Sequence, residues 1–187
     1  MNIKSFLYRI FPSKNSGKKV VIQTETTGLY PKDGHKLVEI AAIEIDENDT
    51  PTGAVFHAYI NPERDVPEEV VKIHGLDYDF LQDYPPFAAY KNEFLNFIKG
   101  KEIIGHHILF DLNFLNNEIG FKPENKITDT LEMAKAVFVG QKNHLCALSE
   151  RLNVNIRYPA YNGALLDALY IIEIYKKLKN CQSAFHL

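Results

Sequence analysis

The chain has 187 residues, 45% of them hydrophobic and 12% aromatic, and a formal net charge of −3. This length fits one domain with a core large enough to fold alone, and the apolar content excludes a disordered chain. The small negative charge excludes a molecule drawn as a whole to phosphate, and no apolar run is long enough to cross a bilayer, so we expect no membrane association.

The chain begins with a basic segment. Residues 1–17 form a leader, and no acidic residue precedes Glu25. A basic leader could contact nucleic acid or remain a solvated, disordered segment, and both interpretations stay open. It lacks the pattern of a secretory signal. Two cysteines, Cys146 and Cys181, are too few for a disulfide framework and too isolated for a zinc site, which favours a reducing cytoplasm.

Three strands are predicted in the first third of the chain, over about 18–23, 37–46 and 54–60. Each is a short apolar run bounded by turn residues. In the second, apolar residues alternate with Glu44 and Asp46, so we expect one of its faces to be wet. The close spacing of the three strands predicts an antiparallel meander.

Helices alternate with strands after Pro62. Pro67 and the two acids that follow it suit a first helical turn. An aromatic stripe at helical spacing follows, formed by Phe87, Tyr90, Phe94, Phe97 and Ile98. A short strand at 103–105 leads into a helix in which Asp111 lies one position off the apolar stripe, where its carboxylate would border a cleft. A last helix over about 163–178 places Asp167 at the edge of its own stripe. This order predicts a mixed α/β sheet.

Three separated segments share a pattern of acidic residues. They are Gln23-Thr24-Glu25-Thr26-Thr27-Gly28, Gly105-His106-His107-Ile108-Leu109-Phe110-Asp111 and Asn162-Gly163-Ala164-Leu165-Leu166-Asp167-Ala168. In this order they resemble the three motifs of the DnaQ-like, DEDDh-type 3′-5′ exonucleases, over about residues 19–178. Within that family the chain is most similar to the proofreading subunits of bacterial DNA polymerase III. The resemblance implies a ribonuclease-H-like fold, with a three-strand antiparallel meander, further parallel strands and flanking helices.

The resemblance also implies a two-metal site. Glu25 and Asp167 would bind the ion that activates water, and Asp111 would serve the second ion, with Mg²⁺ or Mn²⁺ as the cofactor. Carboxylates suit this chemistry because each divalent ion must be neutralised as well as positioned.

Two positions depart from the family pattern. Gln23 stands where the first motif has a metal-bridging Asp, and Asn162 stands where the third motif has a His that takes the proton from the attacking water. An amide supplies no charge and accepts no proton near neutral pH, so we expect a weakened metal site and strongly reduced hydrolysis.

Substrate-binding residues are also implied by the resemblance. The turn of Thr26, Thr27, Gly28 and Leu29 would present backbone N–H groups and an apolar wedge to a terminal nucleotide. His74, His107 and Phe110 are assigned to the bound nucleotide. For Phe110 and Phe114, core packing competes with base stacking, and packed or surface positions compete for the histidines. Asp129 is interpreted as a helix cap rather than a ligand.

Three functions follow. The first is a degenerate exonuclease that binds single-stranded 3′ ends, DNA favoured, together with a DNA polymerase subunit or sliding clamp. The second is a slow but active metal-dependent 3′-5′ exonuclease, and the third is a non-catalytic interaction module. One exonuclease-like domain is expected over 18–179. The tail, 180–187, faintly resembles short clamp-binding peptides.

Overall fold

The computed structural model describes residues 17–120, 122–156 and 163–185. It contains five strands, β1 (Lys19–Thr26), β2 (Leu37–Ile45), β3 (Pro51–Tyr59), β4 (Glu102–Gly105) and β5 (Ile127–Asp129). Seven α-helices accompany them, α1 (Glu68–His74), α2 (Tyr78–Leu81), α3 (Phe87–Ile98), α4 (Ile108–Ile119), α5 (Thr130–Val137), α6 (Leu145–Arg151) and α7 (Ala164–Phe185), with one 3-10 helix at Pro31–Asp33.

The strands form one sheet in the order β3-β2-β1-β4-β5. The first three strands pair antiparallel, as the close spacing predicts. Strand β4 pairs parallel with β1, and β5 pairs parallel with β4, after crossovers that contain helices. The predicted mixed sheet with an antiparallel meander is therefore confirmed, and β1 lies at its centre.

Helices cover both faces of the sheet. Alternate side chains of β1 point to opposite faces, so neighbouring residues of this strand pack against different helices. Val20 and Ile22 pack with the apolar residues of α3 and α4. Val21 packs on the other face, against α7. Four of the five stripe residues of α3 are buried, with Phe94 fully enclosed, and the fifth, Tyr90, is partly buried.

The prediction of a wet face on β2 is wrong. All nine of its residues are buried, and Glu44 is only 4% exposed. Its carboxylate contacts the ammonium groups of Lys18 and Lys101, each at 2.7 Å. The alternation in the sequence arises from an acid that is paired inside the protein and not from an acid that faces water.

The last helix is longer than the predicted 163–178. It continues to Phe185, through most of the segment expected to be a separate tail. The leader up to residue 16, the end of the tail at 186–187 and Asn162 lie outside the described residues. Within the described part of the chain, no helix is long and apolar enough to cross a membrane.

Candidate active site

The first motif divides between the two faces of the sheet. Gln23 and Glu25 share the β1 face of Val21, which α7 covers. Thr24 lies on the opposite face, where its backbone N–H and hydroxyl both donate to Asp111 Oδ1, at 2.9 and 2.7 Å. The strand thus carries two motif residues toward α7 and anchors the second motif behind them.

A cleft brings parts of the first and third motifs together. Glu25 from β1 and Asp167 from α7 line it, along with His74 at the end of α1. The remaining lining residues are Lys72, Ile73, Gly75, Gly163 and Leu166. Residues more than a hundred positions apart in the sequence therefore line one cleft.

The three motif carboxyl groups hold their protons unusually tightly. Burial, reinforced by the nearby charges of Glu39, Asp167 and Asp111, raises the pKa of Glu25 to about 8. Burial and Glu39 raise the pKa of Asp167 to about 6. Burial raises the pKa of Asp111 to about 7, although its hydrogen bonds from Thr24 oppose the shift. Acids with pKa values raised in this way are common at functional sites, where a bound positive charge would favour their ionised forms and lower those pKa values.

Asp111 is more deeply placed than its position in the sequence suggests. Its side chain is 2% exposed and does not line the cleft. The two hydrogen bonds from Thr24 offset part of the cost of burying a carboxylate. It still lies close enough to Glu25 to raise that residue's pKa.

Glu39 is a fourth acid beside the cleft, and it is absent from the predicted site. It pairs with Glu25 in the β1–β2 register and is 1% exposed. One of its oxygens lies 2.7 Å from His57 Nε2, and the other accepts the backbone N–H of Ala164 at 3.0 Å. The feature of the sequence that could have indicated this residue is that Glu39 is the single acid within the apolar run from Leu37 to Ile43.

The turn after β1 is held by its own side chains. Thr26 Oγ1 donates to the Gly28 carbonyl at 2.7 Å, and Thr27 Oγ1 contacts His35 and accepts the Lys36 N–H. Thr27 N–H donates to the Lys36 carbonyl, so it is not free for a ligand. A Cβ on Gly28 would lie 2.3 Å from the His35 ring, which explains the glycine.

Several residues assigned to the substrate lie at the surface or the cleft wall. Leu29 is 66% exposed, as an apolar wedge requires. His74 Nδ1 accepts the Leu76 N–H at 3.0 Å, so its ring proton resides on Nε2, and burial lowers its pKa. His107 is exposed, has a left-handed backbone (φ 61°) and stacks on Phe110. Neither His107 nor Phe110 lines the cleft.

Two other interpretations from the sequence are now decided. Asp129 caps α5 by accepting the Leu131 N–H, and it also accepts the His107 N–H. Phe114 is 1% exposed and belongs to the core. Phe110 packs against that core and is only partly buried. His106 contacts Thr130 Oγ1 at 2.9 Å and, like His107, is not a lining residue of the cleft.

The donor atoms fit a hard divalent cation by their chemistry. Gln23 Oε1 is buried without a hydrogen-bond partner among the described residues, on the face that also carries Glu25. Carboxylate and amide oxygens are the ligands that Mg²⁺ and Mn²⁺ prefer. Within residues 17–120, 122–156 and 163–185, however, no group of three or more acids, histidines or cysteines is placed so that it could hold a metal ion.

The sheet order and the acids beside its central strand define a ribonuclease-H-like exonuclease fold. Exonuclease X in complex with 5′ overhanging duplex DNA is similar to the chain with a TM-score of 0.70 and 20% identity, covering 86% of this chain and 90% of that chain. The zinc-bound Escherichia coli exonuclease I–ssDNA complex gives a TM-score of 0.76 and 17% identity, covering 90% and 42%. At these identities the likeness concerns the fold.

Sequence comparison identifies the family. The RNase_T family model, described as exonuclease, matches residues 20–175. The chain is 42% identical to DNA polymerase III subunit epsilon of Rickettsia conorii over 182 residues, 92% of this chain and 79% of that protein. Against the same subunit of Escherichia coli K12 the identity is 35% over 179 residues, 89% and 73% of the two chains. The chain belongs to this exonuclease family, which confirms the resemblance seen in its motifs.

Proposed function

We propose that the protein binds the 3′ ends of single-stranded nucleic acid, with DNA favoured, and hydrolyses them poorly. The observation that carries the proposal is the cleft itself. It retains Glu25, Asp167 and His74, while the face beside Glu25 carries the neutral Gln23 in place of an acid. The similarity to epsilon subunits and to an exonuclease–ssDNA complex supports this assignment.

Glu25 and Asp167 would hold a divalent cation, Mg²⁺ or Mn²⁺, with Asp111 behind them. Such an ion, when bound, supplies water activation and stabilises the leaving oxygen. Gln23 contributes an oxygen but no charge, which weakens the site by an amount on the order of a few kcal/mol at an effective dielectric near 20. Asn162 removes the proton acceptor, a change worth about 10²–10⁴-fold in rate.

The surface around the cleft suits a terminal nucleotide. His74 lines the cleft, and its Nε2, which carries the ring proton but is buried, would donate to a phosphate or base oxygen once the cleft opens around that nitrogen. Leu29 would wedge against the terminal base, and the exposed His107 ring with Phe110 would stack on a neighbouring one. The hydroxyls of Thr26 and Thr27 would instead keep the turn in shape.

Degradation of a 5′-labelled single-stranded oligonucleotide, with Mg²⁺ and with Mn²⁺, tests the proposal. We expect binding with little or no ladder from the native protein. The matched control is Asp167→Ala, which removes a carboxylate of the cleft. A strong ladder that disappears in Asp167→Ala would overturn the proposal of reduced hydrolysis and favour the slow but active exonuclease, for which the three remaining acids are the supporting observation.

Restoring the family pattern tests the cause of the reduced activity. Gln23→Asp combined with Asn162→His should raise Mn²⁺-dependent hydrolysis by at least about 10²-fold, since both the charge and the proton acceptor return. Each single replacement serves as a control and should give a smaller gain. Equal activity of the double variant and the native protein would show that the defect lies elsewhere.

The partner is also part of the proposal. Because the relatives are polymerase III subunits, we propose a DNA polymerase subunit as the partner in the cytoplasm, with a sliding clamp as the second candidate. The clamp candidate rests on the tail, which is helical up to Phe185. Failure to bind any oligonucleotide at low salt, where phosphate contacts are strongest, would favour the non-catalytic interaction module instead.

A further inference from the structure

Glu39 is the most completely enclosed acid near the cleft. It is 1% exposed, it neighbours Glu25 across the β1–β2 pair, and both of its oxygens are engaged. Oε1 lies 2.7 Å from His57 Nε2 on β3, and Oε2 accepts the Ala164 N–H at 3.0 Å. An acid buried to this extent needs such partners to compensate for lost hydration.

The contact with Ala164 fixes the start of α7. Ala164 is the first residue of that helix, and a carboxylate there meets unpaired N–H groups and the positive end of the helix dipole. One turn later, the Asp167 N–H donates to the Gly163 carbonyl at 3.1 Å. Glu39 is therefore connected to Asp167 through a single turn of backbone.

Gly163 allows this close approach. A Cβ at this position would lie 2.3 Å from Glu39 Oε2, and the residue has a φ of 76°, a conformation that favours glycine. The backbone of the third motif therefore packs directly on the Glu39 carboxylate. Any larger residue would displace either the helix start or the acid.

We infer that Glu39 is a positioning residue for the cleft, holding α7 so that Asp167 faces Glu25. The inference rests on the proposed function, since it concerns the same site. Glu39 does not act as a direct ligand, because both of its oxygens are engaged and its side chain is closed to solvent. Glu39 is the third residue of β2, and it pairs with residues of both β1 and β3, so the sheet fixes the position of the carboxylate that the helix start contacts.

Two substitutions at Glu39 distinguish the effect of side-chain length from the effect of charge. Glu39→Gln keeps the length, so its amide oxygen still accepts the Ala164 N–H, and its NH₂ can donate to His57 Nε2 when that ring carries its proton on Nδ1. Glu39→Asp keeps the charge but is one methylene shorter. Glu44→Asp is the matched control, because Glu44 is a buried acid on the same strand whose partners are Lys18 and Lys101.

The full chain is examined by NMR hydrogen exchange at the Ala164 amide and by Mn²⁺ titration. In Glu39→Asp we expect exchange at least about tenfold faster and Mn²⁺ affinity about tenfold weaker, the effect of losing one hydrogen bond to a charged group. Glu39→Gln should stay within about threefold of the native protein in exchange and bind Mn²⁺ more tightly than Glu39→Asp. Glu44→Asp should lower the melting temperature without changing either readout.

Unchanged hydrogen exchange at Ala164 in Glu39→Asp would overturn the inference. Weaker Mn²⁺ binding by Glu39→Gln than by Glu39→Asp would also overturn it, because the charge of residue 39 and not the length of its side chain would then control the site. If the native protein binds no Mn²⁺, the metal part of the proposed function fails. The exchange measurement still decides whether Glu39 holds the helix start. The two failures are therefore distinguishable.

Discussion

Thr24 illustrates how the fold tolerates a buried acid next to the cleft. Its backbone N–H and hydroxyl both reach Asp111 Oδ1, so one residue of β1 supplies two donors to a side chain on α4. Burial raises the pKa of Asp111, and these donors oppose the shift because they stabilise the ionised form. The hydroxyl therefore stabilises the ionised form of Asp111, although burial remains the larger influence on its pKa.

Replacing Thr24 by Val removes the hydroxyl and keeps the shape. We expect the free energy of unfolding at about pH 8 to fall by roughly 1–3 kcal/mol, because Asp111 then loses a charge-assisted hydrogen bond. Thr24→Ser retains the donor and should cost much less. Urea denaturation of the two variants measures the difference, and equal stabilities would mean that the hydroxyl contributes nothing.

At the scale of elements, hydrophobic patterns predicted most of the architecture. Helix α3 followed from an aromatic stripe and β4 from a short apolar run, because in both the burial is encoded by neighbouring residues. The face of β2 that carries Glu44 was mispredicted for the opposite reason. The more deeply buried of its two lysine partners, Lys101, is far along the chain, and the 7% exposure of Lys101 depends on the fold. An ion pair with a residue distant in sequence leaves no periodic pattern in the residues around the buried acid.

The ion pairs of Glu44 connect β2 to two other segments, because Lys18 directly precedes β1 and Lys101 directly precedes β4. Glu44→Gln would leave two ammonium groups without their shared carboxylate, and Lys101 is almost fully buried. We expect a loss on the order of 3 kcal/mol in the free energy of unfolding. Glu132→Gln, which removes an exposed pair with Lys135, is the control and should stay within about 0.5 kcal/mol. Similar losses in both variants would contradict this account.

For the whole molecule, the motifs indicated which residues meet, and the tertiary structure determined how. Glu25 and Asp167 share a cleft, as their motifs suggested, while Asp111 lies behind Thr24. Glu39 was missed because its role depends on two contacts, one to His57 on the neighbouring strand and one to Ala164 at the start of α7, and neither residue is close to it in sequence. Spacing can therefore identify the acids of a site, but not the residue that holds them in place.

The crowded acids also make the stability of the whole molecule depend on pH. The pKa values of Glu25, Asp111 and Asp167 are raised to about 8, 7 and 6 from ordinary values near 4. The folded protein therefore binds protons that the unfolded chain releases. Their contribution to stability is complete below about pH 4 and is lost as the pH rises through about 6 to 8.

In buffer free of divalent cations, we therefore expect the free energy of unfolding to fall by several kcal/mol between about pH 5 and pH 9, because each unit of pKa shift corresponds to about 1.4 kcal/mol. Glu25→Gln removes the most strongly shifted of these groups and should flatten the profile. Mn²⁺ should restore more stability at about pH 8 than at pH 5, because a bound cation favours the ionised carboxylates that repel one another in its absence. Denaturation series at several pH values provide the measurement. A profile that rises over this range, or one that Glu25→Gln leaves unchanged, would show that these acids do not control the stability of the fold.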